Sequence, residues 1–394
     1  MTAGQRPPLS CRPVHCAMRR SAVMTRLPSI APAVEKLFAE RGAELTDVAI
    51  LQPADAFLDT AGEDLRRRIF LTESETGEEL CLRPEFTIPV CLGHIASKAG
   101  TPRRYAYLGE VFRQRRDGAA EFFQAGIEDL GDTDAARADA RSLGDAYALL
   151  KATAPRAGLA VTLGDQALFE AVLGALGLPR GWRMRLARAF GSKEQLDAAL
   201  ADLGSQGHAS AIAGPAALLV AGGDQAALTE HIAQGMAQAG LPQGAGRTAE
   251  EIARRLIEKA ELASVRLSDR AFDALKEFLA IHVPLEQAAD RLESFAGDAR
   301  LSLGGALKGF AARTEALRGE DVPPAAISYD AAFGRPLDYY TGLVFEIGAA
   351  GLDRPLAGGG RYDRLLTMLG AKTPIPGVGF SVWLDRIEKA RGEG

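Results

Sequence analysis

A short segment that begins at Arg335 carries the side chains best suited to holding a small charged molecule. It supplies a cation, an anion and two phenols, from Arg335, Asp338, Tyr339 and Tyr340. A guanidinium pairs with a carboxylate in a two-pronged geometry, and a phenol combines an apolar ring with one polar tip. These parts predict a site for a zwitterion, ahead of a strand-like stretch that begins at Leu343.

Glu85 and Thr87 form a second candidate pair, at the end of a predicted strand that Pro84 closes. A carboxylate and a hydroxyl two residues apart can both accept hydrogen bonds from one ammonium group. The other interpretation is structural, with Thr87 beginning a helix and Glu85 lying beside its positive end. Taken alone, the pair favours the structural interpretation.

The predicted strand over 119–129 has Gln124, Gly126 and Glu128 on one face. Two acceptor side chains then flank a glycine that leaves space between them, which predicts a floor for a polar ligand. A solvated sheet face explains the same pattern equally well. Arg113 ends the preceding predicted strand and adds a cation.

Three glycines, from Gly358 to Gly360, precede Arg361 and Tyr362. No Lys-Ser/Thr pair follows them, and no G-x-G-x-x-G with a ribose-binding acid is present, so they do not predict a nucleotide-phosphate loop. We expect the glycines to allow close backbone packing that presents Tyr362.

The charge and composition of the chain exclude several classes of protein. A net charge of -5 over 394 residues gives no whole-chain excess of Lys and Arg for nucleic-acid phosphates. No apolar run reaches the ~18 residues of a membrane span. The four cysteines form no CxxC pair and the histidines are scattered, so we expect no metal site. We expect reduced thiols in a cytoplasmic protein.

Periodicity predicts an α+β fold built on an antiparallel sheet flanked by helices. Hairpin-linked strands without regular strand-helix alternation favour this class. Residues 165–320 are rich in Ala and Leu with helical periodicity, as in the predicted helix over 269–282. The predicted elements of the first part are a strand over 47–52, hairpin arms over 67–72 and 80–83, a helix over 87–97, strands over 103–113 and 119–129, and a helix over 134–150.

The predicted sheet takes strands from both ends of the chain. Residues 1–30 hold arginines and prolines with no hydrophobic signal region, and we expect a disordered or misassigned extension. The predicted organisation is this extension over 1–30, the first part of the core over 31–164, a helical middle region over 165–321 and the second part of the core over 322–394.

Six motifs together resemble the class II aminoacyl-tRNA synthetases, and histidyl-tRNA synthetases in particular. They occur in that family's order and cover roughly residues 30–165 and 322–390. The motifs are Leu-Arg-Pro-Glu-x-Thr from Leu82, Phe-Arg from Phe112, Gln-x-Gly-x-Glu from Gln124, Leu-Asp-Tyr-Tyr-Thr-Gly from Leu337, Gly-Gly-Arg-Tyr-Asp from Gly359 and Gly-Phe followed by Arg386. The resemblance implies a class II synthetase-like core that dimerises around residues 45–53.

The resemblance also implies a histidine pocket. In it Glu85, Thr87 and Gln124 receive the α-ammonium, Glu128 and Tyr340 meet the imidazole, and Arg335 neutralises the carboxylate. The complete predicted histidine-binding set is Glu85, Thr87, Arg113, Gln124, Glu128, Arg335, Tyr339, Tyr340 and Tyr362. No catalytic residue, cofactor or metal is expected.

The chain departs from the synthetases where they bind ATP and tRNA. Arg115 stands where that family has an acid, in a shortened loop, and Trp383 replaces a small glycine near the third motif. An indole buries roughly 150–250 Å², so Trp383 is expected to fill space that adenosine needs. Pro336 replaces a glycine beside Arg335. No anticodon-binding domain is expected, because the sequence ends at Gly394, close after that motif.

This pattern resembles the histidyl-synthetase-like regulatory subunits of ATP phosphoribosyltransferase. The resemblance implies a non-catalytic, cytoplasmic protein that binds histidine, mediates its feedback inhibition and needs neither tRNA nor a membrane. Its partner would be a short-form catalytic subunit, joined by homodimers of this chain in a hetero-oligomer. The alternative is a truncated histidyl-tRNA synthetase paralogue that activates histidine or another amino acid.

Overall fold

The computed structural model describes residues 27–116, 118–204, 214–239, 248–264 and 267–392, and its centre is a nine-stranded sheet. A second sheet has three strands. The strands are β1 Glu44–Leu45, β2 Leu51–Pro53, β3 Leu71–Glu73, β4 Glu79–Leu82, β5 Arg103–Phe112, β6 Glu121–Leu130, β7 Leu159–Asp165, β8 His282–Pro284, β9 Ile327–Asp330, β10 Leu343–Ala349, β11 Ala357–Arg361 and β12 Gly377–Trp383.

The large sheet has the order β1-β5-β6-β12-β11-β10-β7-β9-β8, and the small one β2-β4-β3. Two pairs, β1 with β5 and β7 with β9, are parallel, and the other pairs are antiparallel. The α+β prediction with an antiparallel sheet is therefore confirmed. Strands from the two ends of the chain meet where β6 pairs with β12.

Helices surround this sheet and fill most of the sequence between β7 and β9. They are α1 Ala31–Glu40, α2 Ala54–Thr60, α3 Glu63–Arg66, α4 Thr87–Ser97, α5 Ala135–Thr153, α6 Gln166–Ala175, α7 Arg180–Ala189, α8 Lys193–Gly204, α9 Pro215–Ala221, α10 Gln225–Gln238, α11 Ala249–Ser264, α12 Asp269–Leu279, α13 Leu285–Ala299, α14 Gly304–Leu317, α15 Leu365–Met368 and α16 Leu384–Arg391.

Helix α5 shows how local sequence fixes an element behind the site. Asp134 caps it by accepting a hydrogen bond from the Arg137 amide at 3.2 Å, as short acidic residues do at helix N-termini. Its apolar side, with Leu143 and Leu150 fully buried, belongs to the main core that also holds β6, β11 and β12 residues. Helix α5 thus packs against the side of the sheet that lies behind the site strands.

Several predicted elements differ from the observed ones. The strand predicted over 47–52 is found at Leu51–Pro53. The helix predicted over 269–282 ends at Leu279, and His282–Pro284 forms an edge strand beside β9. Pro284 has no backbone N–H and cannot continue a helix, whereas an edge strand accepts it. The predicted extension lies, up to residue 26, outside the described residues.

No helix in the described part of the chain is both long enough and apolar enough to cross a membrane.

Candidate ligand-binding site

Two buried acids lie together at the N-terminus of α4. The Glu85 carboxylate accepts hydrogen bonds from the amides of Thr87 at 2.7 Å and Ile88 at 2.9 Å. The Thr87 hydroxyl donates to Glu128 at 2.7 Å, and the Tyr362 hydroxyl donates to the other oxygen of the same carboxylate. Thr87 begins α4 and Glu85 lies beside the positive end of that helix, as the structural interpretation has it, and Thr87 also links this end to Glu128.

Burial shapes the charge of these acids. It raises the pKa of Glu85, against the opposing effect of the α4 amides and the Arg113 charge. Burial also raises the pKa of Glu128 to about 8, while hydrogen bonds from Tyr362 and Thr87 lower it and the neighbouring Glu85 charge adds to the rise. Desolvation disfavours a carboxylate unless a cation or donors compensate for lost water. A bound cation would therefore favour the ionised form of both acids.

Eight of the nine predicted histidine-binding residues line one cavity, named here the central cavity. Glu128 lies behind the lining, bonded to Thr87 and Tyr362. The predicted residues in the lining are Glu85, Thr87, Arg113, Gln124, Arg335, Tyr339, Tyr340 and Tyr362.

Three buried polar atoms of the central cavity lack a hydrogen-bond partner within the described residues. They are Gln124 Oε1, Arg335 Nε and Trp383 Nε1. A buried donor or acceptor without a partner costs about 1–3 kcal/mol, so such groups are uncommon unless they serve a ligand. One acceptor and two donors around the same space fit a molecule that is polar at several points.

Glycines on β11 and β12 make room for the polar side chains. A Cβ added at Gly358 would collide with the Arg335 guanidinium, and one at Gly379 would collide with the Glu128 carboxylate. A Cβ at Gly360 would lie 2.9 Å from the Tyr340 ring. The triple glycine therefore provides the close packing expected of it, although it does so as a strand.

The segment that carries Arg335 is fastened to the sheet. Arg335 donates to the Phe345 carbonyl at 3.3 Å and lies 3.6 Å from Glu346. Further along, the Thr341 amide donates to the Arg361 carbonyl at 2.8 Å. Arg361 is itself 4% exposed and bonded to buried Asp139 at 2.7 Å. The sheet thus fixes the guanidinium and the two tyrosines relative to Tyr362.

The aromatic residues enclose the polar groups. The Tyr339 ring lies 5.1 Å from the Tyr340 ring and 6.0 Å, edge-on, from the Tyr362 ring. Burial raises the pKa of Tyr340 to about 12, partly offset by the Arg335 charge. The phenols therefore remain neutral near pH 7 and can act as hydrogen-bond donors or acceptors.

Sequence reasoning missed other residues of the central cavity. Asp64 and Arg68 come from the short helix α3 and the turn after it, and Phe380 and Ser381 come from β12. The alternation of Gly377 and Gly379 with larger residues in β12 was an available signal. Nothing in the sequence around α3 has a pattern that indicates a site.

A second cavity, named here the arginine basin, adjoins the central cavity through Asp64, Arg68 and Arg113. Asp64 supplies the one carboxylate in the lining that the structure describes, and it pairs with Arg68 at 2.7 Å. The arginines of the basin are Arg67, Arg68, Arg113, Arg115, Arg116, Arg354 and Arg386. This excess of cations favours an anion such as phosphate.

The guanidinium groups of the arginine basin stack on aromatic rings and repel one another. Arg115 lies 3.6 Å from the Phe122 ring centre and Arg386 lies 4.1 Å from that of Trp383. Burial lowers the pKa of Arg386 to about 10, and the charges of Arg115 and Arg354 lower it further against the effect of Asp385. Trp383 is buried in an apolar cluster with Phe122, and its indole lines the central cavity while lying against Arg386 of the basin.

Comparisons with known proteins show which family the chain resembles. The histidyl-tRNA synthetase family model matches residues 22–267 and 236–387. A regulatory subunit of ATP phosphoribosyltransferase from Mesorhizobium japonicum is 70% identical over 93% of this chain and 98% of its own length. The protein of the same name from a Chelativorans strain is 64% identical over 94% of this chain and 99% of its own length.

Solved structures support the fold. A Bacillus halodurans structure, described as an ATP phosphoribosyltransferase regulatory subunit/histidyl-tRNA synthetase, superposes with a TM-score of 0.62 at 21% identity, covering 92% of this chain and 78% of that one. A histidine–tRNA ligase subunit from Alicyclobacillus acidocaldarius gives a TM-score of 0.57 at 24% identity. The match covers 99% of this chain and 98% of that one. The class II synthetase-like core predicted from the sequence is confirmed.

Proposed function

Because the chain belongs to the family of ATP phosphoribosyltransferase regulatory subunits, we propose that it binds free histidine and thereby inhibits a separate catalytic subunit. In this proposal the chain is not itself an enzyme. It acts in the cytoplasm and has no role with tRNA. The proposed partner is a short-form catalytic subunit that transfers a phosphoribosyl group to ATP, the first step of histidine biosynthesis.

One observation carries the choice of ligand: the central cavity combines the Arg335 guanidinium, buried Glu85 with Glu128 directly behind the lining, and three unsatisfied polar atoms. We assign the carboxylate of histidine to Arg335, with Arg113 nearby. The ammonium goes to Glu85, Thr87 and Gln124. Each Glu85 oxygen accepts one amide bond and has a further lone pair for the ligand.

The imidazole is assigned to Glu128 and Tyr340, with Tyr339 and Tyr362 as the surrounding walls. An imidazole offers one nitrogen to an acid and the other to a phenol. Glu128 lies behind Thr87 and Tyr362 in the described structure. The proposal therefore requires a small rotation of the Tyr362 hydroxyl when the ligand binds.

Inhibition would follow from linkage between two binding events. If histidine binds one conformation of the complex more tightly, it shifts the population toward that conformation. A coupling of about 1–3 kcal/mol corresponds to a roughly 5- to 150-fold change in affinity, which is enough for feedback control.

We also propose that the chain forms a homodimer within the hetero-oligomer, through the region 45–53 and its surroundings. Four large apolar side chains there are exposed to solvent. They are Leu45, Ile50, Leu51 and Leu71, with exposed fractions of 55%, 44%, 52% and 52%. An apolar patch of this kind commonly marks a subunit interface.

Two measurements test the proposed function. Calorimetry against the twenty amino acids should detect binding of histidine alone, and equal binding of another amino acid would reject the assignment. Co-purification with a short-form phosphoribosyltransferase should yield a complex whose activity requires this chain and falls when histidine is added. A complex that is insensitive to histidine would reject the regulatory role.

The arginine basin favours a second candidate, a synthetase paralogue that activates histidine or another amino acid. Arg113 and Arg386 line the basin and could hold the phosphates of ATP. Trp383 opposes this candidate, because its buried ring lies beside the basin where a base would need space. Robust histidine-dependent exchange of pyrophosphate into ATP by the pure protein would favour the paralogue over the regulatory subunit.

A further inference from the structure

Helix α7 has one buried face and one face that is open to solvent. Trp182, Leu186 and Ala189 are buried and belong to the main core. The open face carries arginines and a methionine, and it forms one wall of a second groove. We name this the α7 groove; its lining includes Arg180, Arg183, Met184, Arg188, Met368 and the segment 337–340.

The α7 groove exposes apolar side chains that a solvated surface does not require. Met184 is 44% exposed and Met368 is 53% exposed. Methionine is flexible and polarizable, and it is common at protein-binding surfaces that adapt to a partner. The groove therefore has apolar side chains among its charged ones, as protein interfaces do.

The rim of the α7 groove is positively charged. Arg180, Arg183 and Arg188 are exposed, and no acid within the described residues forms an ion pair with them. The described lining holds two acids, Glu170 and Asp338, and Glu170 lies 3.4 Å from Arg364, so arginines remain in excess. Arginine is enriched at protein interfaces, and a rim of this sign is complementary to carboxylates on a partner.

The far end of α7 is locked to the segment that carries Arg335. A Cβ added at Gly191 would collide with the Arg335 carbonyl, and one added at Gly334 would collide with the Phe190 carbonyl. The two backbones are therefore in direct contact, and closely packed elements transmit displacement rather than absorb it. A shift of α7 must move Arg335 or break this packing.

The segment after Arg335 is also the wall between the two spaces. Arg335, Tyr339 and Tyr340 line the α7 groove on one side and the central cavity on the other. An occupant of the groove would thus contact the same side chains that we assign to histidine.

We propose that the α7 groove is the docking surface for an acidic segment of the catalytic subunit, with an apolar side chain seated between Met184 and Met368. This inference rests on the proposed function and adds the partner-facing surface and the route of coupling. Histidine and the partner then act on opposite sides of one wall. Linkage requires that histidine changes the affinity for the partner by the same factor as the partner changes the affinity for histidine.

The test is a charge reversal on the open face of α7, measured in the full-length chain. The triple variant Arg180→Glu, Arg183→Glu, Arg188→Glu should bind a short-form catalytic subunit at least about tenfold more weakly. A matched control, Arg156→Glu, Arg270→Glu, Arg291→Glu, makes the same change of charge at exposed arginines outside the groove. The variant Met184→Ser should weaken the complex without altering charge.

Circular dichroism and calorimetry with histidine alone show whether the variants keep their fold and their central cavity. The docking site alone is overturned if the wild type forms the complex and the triple variant binds the partner as tightly as the control does. Failure of the wild type to form any complex overturns the proposed function and the docking site together. Retention of RNA by the wild type but not by the triple variant, with unchanged partner binding, would assign the groove to nucleic acid instead.

Discussion

The central cavity and the arginine basin share Asp64, Arg68 and Arg113, yet their charges are arranged in opposite ways. The central cavity balances guanidinium groups against Glu85 and, just behind its wall, Glu128. The arginine basin has seven arginines against the one carboxylate described in its lining, Asp64, and the buried ring of Trp383 lies against its Arg386. The difference supports the proposal that the central cavity takes a zwitterion, whereas the excess of arginines in the basin favours an anion.

The largest effect is expected from Glu128→Ala. The change removes the acid assigned to the imidazole, and loss of a hydrogen bond to a charged group costs about 1.5–3 kcal/mol. Histidine binding should become at least about tenfold weaker by calorimetry, since 1.4 kcal/mol corresponds to a factor of ten.

The control for this change is Arg116→Ala, an exposed arginine of the basin. It should leave histidine affinity nearly unchanged. Unchanged affinity in Glu128→Ala, or an equal loss in both variants, would remove the distinction between the two cavities. Glu128→Gln, which keeps partners for Thr87 and Tyr362, serves to separate binding from folding.

Gln124→Leu should separate ligand binding from stability. Gln124 Oε1 is buried and lacks a partner in the described residues, so its removal relieves a desolvation cost in the empty protein. The melting temperature should stay the same or rise, while histidine affinity falls several-fold. A lower melting temperature with normal affinity would make Gln124 a structural residue.

The pKa of Glu128 predicts how stability depends on pH. Its ordinary value is 4.5 and its folded value is about 8, so the folded chain holds an extra proton between those values. Stability should therefore fall as pH rises from about 4.5 to 8. Melting temperatures over this range should show a steeper decline for the wild type than for Glu128→Gln, and parallel curves would contradict the assignment.

The smallest effect is expected from Arg354→Glu in the arginine basin. Arg354 is exposed and its charge lowers the pKa of both Arg115 and Arg386, so reversing it should relieve repulsion. A rise in stability of no more than about 0.5 kcal/mol is expected, because the site is on the surface. A clear loss of stability would contradict this, because it would show that Arg354 makes a favourable charge interaction in the folded chain.

Much of the site was predictable because its residues occur in motifs with recognisable spacing. The α+β class followed from hairpin-linked strands, two of which became β5 and β6, and eight of the nine predicted site residues line one cavity. The roles assigned to those residues, and the domain boundaries at residues 164 and 321, stay predictions.

Other parts depended on tertiary structure that a local pattern does not contain. β11 consists of Ala357, three glycines and Arg361, and glycine disfavours strands unless neighbours hold it in place. Here the Arg335 and Tyr340 side chains occupy the space above Gly358 and Gly360. The sequence predicted the helical middle region as a whole and did not place helix α7 within it, although Trp182, Leu186 and Ala189 recur at helical spacing.

A crystal structure of the protein grown with histidine tests the contrast between the two cavities most directly. We expect one histidine in the central cavity, with its carboxylate at Arg335 and its imidazole between Glu128 and Tyr340, and none in the arginine basin. Histidine bound in the basin, or a central cavity that stays empty at saturating histidine, would contradict it.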